Sequence, residues 1–360
     1  MNLKPDVRTF ACEFQIAGKF ASAEPFGSGH INDTYRVTFA SGSTQCRYIL
    51  QRLNHAVFTN PLTVMENLQR VTAHLAQKFA DQPDAARRAL TLVPTRAGKF
   101  FQRDIAGNFW RMFPFIEKTR TVDVIETPAQ AFAAAQAFGQ FQKLLADLPA
   151  PRLHDTIPDF HHTPKRFAAL EKAVAADVAN RAAPAKPEIE FALRHQAICD
   201  VLLAANLPER VTHNDTKINN VLLDTATGEG VCVIDLDTVM PGLALYDFGD
   251  MVRSMTNPAA ENERDLAKVE MQFPVFEALS RGYLATADFL TPAEKNLLAV
   301  AGQVITFELG LRFLTDFLAG DAYFKVQSNG ENLDRCRAQF KLFESMRRQE
   351  SVMSKLVAKL

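Results

Sequence analysis

Cysteine is sparse in this sequence, and charge of one sign has no excess. The five cysteines, Cys12, Cys46, Cys199, Cys232 and Cys336, are odd in number, scattered, and include no C-x-x-C pair. That argues against both a disulfide framework and a zinc site, so the thiols are expected to be reduced and mostly buried. Lys and Arg number 40 against 41 Asp and Glu, leaving a formal charge of -1. No broad field is available to gather nucleic acid or an anionic membrane, and a small partner is expected instead. No window approaches the roughly 18 uninterrupted apolar residues of a membrane span. The opening "MNLKPDVRTFACEF" breaks its apolar content with Lys4, Asp6 and Arg8, so it lacks the apolar stretch of a secretory signal and the cytoplasm is the default location. No G-x-x-x-x-G-K-S/T loop occurs, nor any repeat or low-complexity tract.

The chain has 360 residues, 47% of them hydrophobic, enough to fill the cores of two domains. Its first third reads as strands: "TYRVTF" and "CRYIL" flank the turn "ASGSTQ" as a hairpin. In "NPLTVMENLQRVTAHLAQKFA", Leu62, Met65, Leu68, Val71 and Leu75 recur at helical spacing after Asn60 and Pro61. "FWRMFPFI", residues 109 to 116, reads as a closing strand. From Pro128 onward the chain turns helical, beginning with "PAQAFAAAQAFGQFQKLLADL", whose Phe stripe reads as core packing.

One region departs from this. "VTHNDTKINN", Val211 to Asn220, sets seven polar side chains beside an apolar strand, a costly arrangement unless something polar is held there. Val221–Leu223 and Val231–Ile234 read as strands joined by the turn "DTATGEG". A hairpin symmetric about that turn sets Asn220 opposite Asp235, where an amide oxygen and a carboxylate about 5 Å apart can share one cation. Magnesium suits such a pair when waters and substrate phosphates complete its shell. Asp215, at the same end, is a separate carboxylate able to orient an acceptor hydroxyl and take its proton.

"HNDTKINN" followed by "VIDLD" resembles the H-x-D-x-x-x-x-N and metal-aspartate pair of the kinase-like aminoglycoside phosphotransferase superfamily. The extended wording of "THNDTKINNVLLD", "VIDLDTVMPGLALYDFGD" and "LGLRFLTDFLAGDAYFK", with "EPFGSGHINDTYRV" and "YILQRLN", is similar to its N-acetylhexosamine 1-kinase group across nearly the whole chain. The resemblance implies an α+β, bilobal protein-kinase-like fold, with a small β-rich nucleotide lobe over residues 1–116 and a larger helical lobe over 117–360. It implies ATP- and magnesium-dependent phosphorylation of the anomeric hydroxyl of an N-acetylhexosamine. His213 is then the motif histidine, Asp215 the catalytic base, and Asn220 and Asp235 the metal ligands. The "DFG" of Asp247–Gly249 is a false match, Asp247 being expected to cap a helix and brace the catalytic loop.

Gly27, Ser28 and Gly29 form a turn that lets backbone N–H groups approach phosphate, although Asn32 replaces the third glycine of G-x-G-x-x-G. The strand that would carry a phosphate-clamping lysine has Gln51 and Arg52 there instead, and strand alternation lets only one of them face the nucleotide. Glu66 is a partner for that position or a solvated helix residue. Adenine would bond to main chain at the hinge; Pro114 has no N–H, so Phe115 or Ile116 would donate. Asp33, Asp237, Thr238 and Arg312 are the acceptor candidates, with Asp237 equally a brace and Arg312 equally a structural bridge. His161 and His162 lack metal spacing and receive no role. Other small-alcohol kinases (homoserine-, choline- or aminoglycoside-type), a nucleotide-binding pseudokinase and a non-catalytic binder of apolar ligands are the alternatives.

Overall fold

The structure, a computed structural model, describes residues 7–27 and 31–360, so Ser28 and Gly29 lie outside the described residues. The chain forms two compact units. One comprises the described residues up to Thr119 with Asp147–Ile157 and Val231–Met240; the other comprises Arg120–Ala146, Pro158–Gly230 and Pro241–Leu360.

The first unit opens with α1 (Val7–Cys12), then β1 (Lys19–Pro25), β2 (Asp33–Ser41), β3 (Thr44–Leu53), α2 (Pro61–Lys78), the short α3 (Ala85–Arg88), β4 (Gln102–Arg103) and β5 (Phe109–Pro114). Its strands form one antiparallel sheet in the order β1-β2-β3-β5-β4. The β2–β3 hairpin closes through Gly42 and Ser43 between paired Ser41 and Thr44, with Gly42 at φ 61°, a conformation that twists a two-residue turn to match its strands. Alternation sends Val37, Phe39, Leu50, Trp110 and Met112 into a core with Ala11 and Phe14. Helix α2 starts at Pro61 and buries Val64, Met65, Leu68, Val71 and Leu75. Leu62, expected on that face, is instead exposed, because the buried stripe begins with Val64.

The second unit begins at β6 (Thr119–Arg120), which straddles the boundary, and continues with α4 (Pro128–Leu145), α5 (Thr163–Ala176), α6 (Lys186–Arg194), α7 (Val201–Ala204), β7 (Arg210–Thr212) and β8 (Val221–Asp224). Next come β9 (Gly230–Val233) and β10 (Met240–Gly242), both shared in part with the first unit, then α8 (Ala244–Met255), α9 (Phe273–Leu284), α10 (Pro292–Leu318) and α11 (Glu331–Val357). Helices α4 and α10 open on Thr127 and Thr291, each in a reciprocal cap with a Gln or Glu three residues on, which satisfies N–H groups the helix cannot. The Phe stripe of α4 buries Phe138 and Phe141. Helix α10 is long and apolar enough to cross a membrane, but the most apolar window is 83% buried inside the protein, as a core helix is. Phe307, Leu311 and Leu314 pack with Phe340 and Phe343 of α11 and with Phe167 and Leu170 of α5. Helix α8 lies so close to α10 that a Cβ on Gly249 would stand 2.5 Å from the carbonyl oxygen of Ala301. Gly249 of the "DFG" is therefore a packing residue.

Candidate active site

The polar loop from His213 to Asn220 belongs to the second unit, where buried groups hold it from several sides. Asp247, near the start of α8, accepts the His213 N–H at 2.8 Å, the Asn214 N–H at 2.7 Å and the Gln142 amide at 2.7 Å. Gln142 in turn accepts the Tyr283 hydroxyl at 2.5 Å. One helical turn on, Asp250 accepts the Thr216 N–H at 2.8 Å and is itself held by Arg253 at 2.8 Å. Such donors would be costly to bury unpaired. Asp247 does brace the loop as expected, but α8 has no side-chain cap, and Asp247 serves the loop rather than its own helix. Burial pushes the Asp247 carboxyl above its usual value, against the opposing pull of His213 and the loop N–H groups.

Asn214 takes a left-handed conformation at φ 65°, a reversal that asparagine tolerates better than most residues. Asp215 follows it. Its N–H bonds to His213 Nδ1 at 3.3 Å, and the His213 ring is wedged edge-on against Phe138 and Phe141. One Asp215 carboxylate oxygen lies 3.0 Å from Lys217 Nζ, while the other accepts the Asn220 amide N–H at 3.1 Å. Burial raises the Asp215 carboxyl, but Lys217, His213 and Arg253 together outweigh it and hold the group below the ordinary aspartate value. The result is an ionised, partly exposed carboxylate of fixed direction. The Asn220 amide nitrogen also donates to the Asp215 carbonyl at 2.8 Å, so the amide oxygen is the face turned away.

Asp235 and Asp237 lie in the first unit. Asp235 is left-handed, at φ 57° and ψ 59°, just before the single 3-10 turn Leu236–Thr238. Asp237 is buried, with one oxygen paired to Arg111 and the other accepting the Asn32 amide at 2.7 Å. Both of its oxygens are thus engaged within the unit. Asn32, standing where a third glycine is missing, uses its own amide oxygen to accept the Asn54 N–H at 3.0 Å.

The β2–β3–β5 register sets Thr34, Gln51 and Arg111 in one row. Gln51 donates to Thr34 Oγ1 at 3.1 Å and accepts from Arg111 Nη2 at 2.9 Å. Its neighbour Arg52 turns to the other face and pairs with Asp33, its cross-strand partner, in an exposed ion pair. Each of those two charged candidates therefore already has the other as a partner. Glu66 pairs with His154 at 2.7 Å, at the surface, rather than with residue 51 or 52. The Phe115 N–H is spent on the Arg47 carbonyl at 3.0 Å, which takes it out of the pair of hinge donors. Gly27, two residues past β1, has φ 83° and open space where a Cβ would stand.

Arg312 of α10 is half-buried, with its guanidinium over the rings of Phe160, at 5.0 Å, and Phe324, at 5.6 Å. Three contributors escaped the sequence reading. Arg111 sits inside an apolar strand, Asp250 follows the "DFG", and His161 was one of two histidines given no role. Only the cost of burying a charge in "FWRMFPFI" pointed to Arg111.

A β-sheet unit, a helical unit and an H-x-D-x-x-x-x-N loop braced from a following helix together define the aminoglycoside phosphotransferase-like kinase fold. The chain belongs to the phosphotransferase enzyme family abbreviated APH, whose family model matches residues 22–279. Among solved structures it is similar to an aminoglycoside phosphotransferase from Alicyclobacillus acidocaldarius, with 13% identity, a TM-score of 0.61, and coverage of 100% of this chain and 98% of that one. It is also similar to a choline kinase from Cryptosporidium parvum, with 13% identity, a TM-score of 0.56 and coverage of 91% and 89%. An ethanolamine kinase from Plasmodium vivax matches with 16% identity, a TM-score of 0.54 and coverage of 88% and 82%.

Proposed function

We propose that this phosphotransferase is an ATP- and magnesium-dependent small-molecule kinase, with the anomeric hydroxyl of an N-acetylhexosamine as its acceptor. The observation that carries the reading is Asp215: a carboxylate kept ionised by Lys217, fixed by Asn220, and partly open to solvent. A base in that state accepts the proton of an acceptor hydroxyl as the hydroxyl oxygen attacks phosphorus. Arg312, immobilised over two aromatic rings, presents a planar fork suited to a sugar hydroxyl or an N-acetyl carbonyl.

Asn220 and Asp235 are assigned to magnesium. Asn220 directs its amide nitrogen inward and so leaves oxygen for a cation, and Asp235 supplies a carboxylate. Waters and substrate phosphates would complete its shell. When bound, the ion would neutralise charge on the transferring phosphoryl group. Gly27, with Ser28 and Gly29 beyond the described residues, is assigned to the phosphates. Gln51 is assigned to the nucleotide in preference to Arg52, and the hinge donor falls to Ile116. Asp33 and Thr238 stay as acceptor contacts subordinate to Arg312.

The test is a panel of N-acetylhexosamines, amino alcohols and aminoglycosides with magnesium and ATP, read as ADP release and as acceptor phosphate by phosphorus NMR. Acceptor-dependent turnover highest on an N-acetylhexosamine, with product phosphorylated at the anomeric position, is the expected result. Turnover confined to amino alcohols or aminoglycosides would move the acceptor assignment, and acceptor-independent behaviour throughout would remove the kinase reading.

A further inference from the structure

His161 lies just before α5, buried, with ring contacts to Phe160 at 4.6 Å and Tyr246 at 5.1 Å. Its Nδ1 is 2.8 Å from the Glu308 carboxylate, and its Nε2 is 3.2 Å from the carbonyl oxygen of Asn214. A carbonyl only accepts, so Nε2 carries hydrogen. Glu308 takes the Thr163 hydroxyl on its other oxygen at 2.7 Å. Burial raises the Glu308 carboxyl, but His161, Arg312 and Thr163 outweigh it and hold it below the usual value.

The two ends of this link matter. The Asn214 carbonyl belongs to the peptide that leads into Asp215, and the Asn214 N–H is already fixed by Asp247. Glu308 lies on α10 one turn before Arg312, and Arg312 rests on Phe160, the residue next to His161.

We propose that His161 is a positioning residue for phosphoryl transfer: it ties Glu308 of α10 to the Asn214–Asp215 peptide and so fixes the direction of the Asp215 carboxylate. The proposal rests on the reading of Asp215 as the base. Glu308 and Tyr246 are in contact with the ring, and Arg312 rests on the neighbouring Phe160. Tyr246 is pushed above its ordinary value by burial, and the Cys199 thiol is pushed up to about 12. Neither supplies a proton step near neutrality.

The experiment pairs kinetics with NMR on the intact protein. His161→Phe keeps the ring packing but removes both hydrogen bonds, whereas His161→Gln keeps a donor for the Asn214 carbonyl. His161→Phe should lower kcat about tenfold while leaving the ATP KM within about twofold, and His161→Gln should recover part of that loss. Should His161→Phe not fold, Glu308→Gln, which weakens the link at its other end, and the NMR arm decide. In 15N-labelled protein, the Asp215 amide resonance should move in Glu308→Gln relative to the wild type. A Glu308→Gln enzyme with wild-type kcat, or an Asp215 amide unmoved by that substitution, overturns the proposal. If the wild type phosphorylates nothing in the panel, the reading of the site fails by itself, and the NMR arm still decides whether the ring holds the loop.

Discussion

Removing the positive charge at Arg111 should unfold the protein at markedly lower temperature. The side chains of Arg111 and Asp237 are each only 2% exposed and pair directly, so Arg111→Met leaves a carboxylate in the interior with Asn32 as its remaining identified donor. Breaking a buried pair from one side costs about 3–5 kcal/mol, which for a domain of this size lowers Tm by about 6–20 °C. Gln51 also loses its partner, so the cost belongs to the row of three strands and not to the pair alone. Replacing both members, Arg111→Met with Asp237→Leu, removes the stranded charge and should recover part of the loss. Thermal unfolding of the four proteins by circular dichroism closes the cycle. An Arg111→Met protein melting within about 2 °C of the wild type, or losses that simply add, would refute the argument that this pair holds the turn after Asp235.

Asp215→Asn should retain nucleotide affinity, measured by calorimetry, while turnover falls at least about 100-fold. Arg312→Lys keeps charge but loses the planar fork, so initial-rate kinetics should show a raised acceptor KM beside an ATP KM nearly unchanged. Gly249→Ala drives a methyl against the Ala301 carbonyl and Ile305, and should lower stability by about 1–3 kcal/mol in denaturant titrations. A thiol reagent should label exposed Cys46 in the native protein, while buried Cys199, Cys232 and Cys336 react only on unfolding; burial pushes the Cys232 thiol up to about 12.

Local pattern revealed more of this protein than of its partnerships. The β2–β3 hairpin, α2 and β5 stand where alternation, helical spacing and turn residues put them, because each records its buried face in its own sequence. The strands β8 and β9 and their turn are likewise where the apolar runs and the Gly-rich link set them. The loop from His213 to Asn220 was legible because so many amides and carboxylates in one stretch need partners. Those partners were not: Gln142, Asp250 and Tyr283 lie tens of residues away, and nothing local distinguishes a buried glutamine in an Ala-rich helix from a solvated one. Alternation correctly separated Gln51 from Arg52, but could not say that Arg111 would meet Gln51 across the strands. Three of the five cysteines are buried, Cys12 is intermediate and Cys46 is exposed, a distribution composition alone does not assign.

The first unit is assembled from three separated stretches of chain, and this has a consequence for synthesis. Arg111 leaves the ribosome 126 residues before Asp237, the carboxylate that neutralises it. At about 5–20 residues per second that interval is about 6–25 s. Until then the sheet holds a guanidinium without its counter-charge, and the segment 231–240 is not yet in place. The sheet therefore matures after much of the second unit's sequence has been made. A chain cut after residue 119 would carry every strand of that sheet and still lack the residues that complete it.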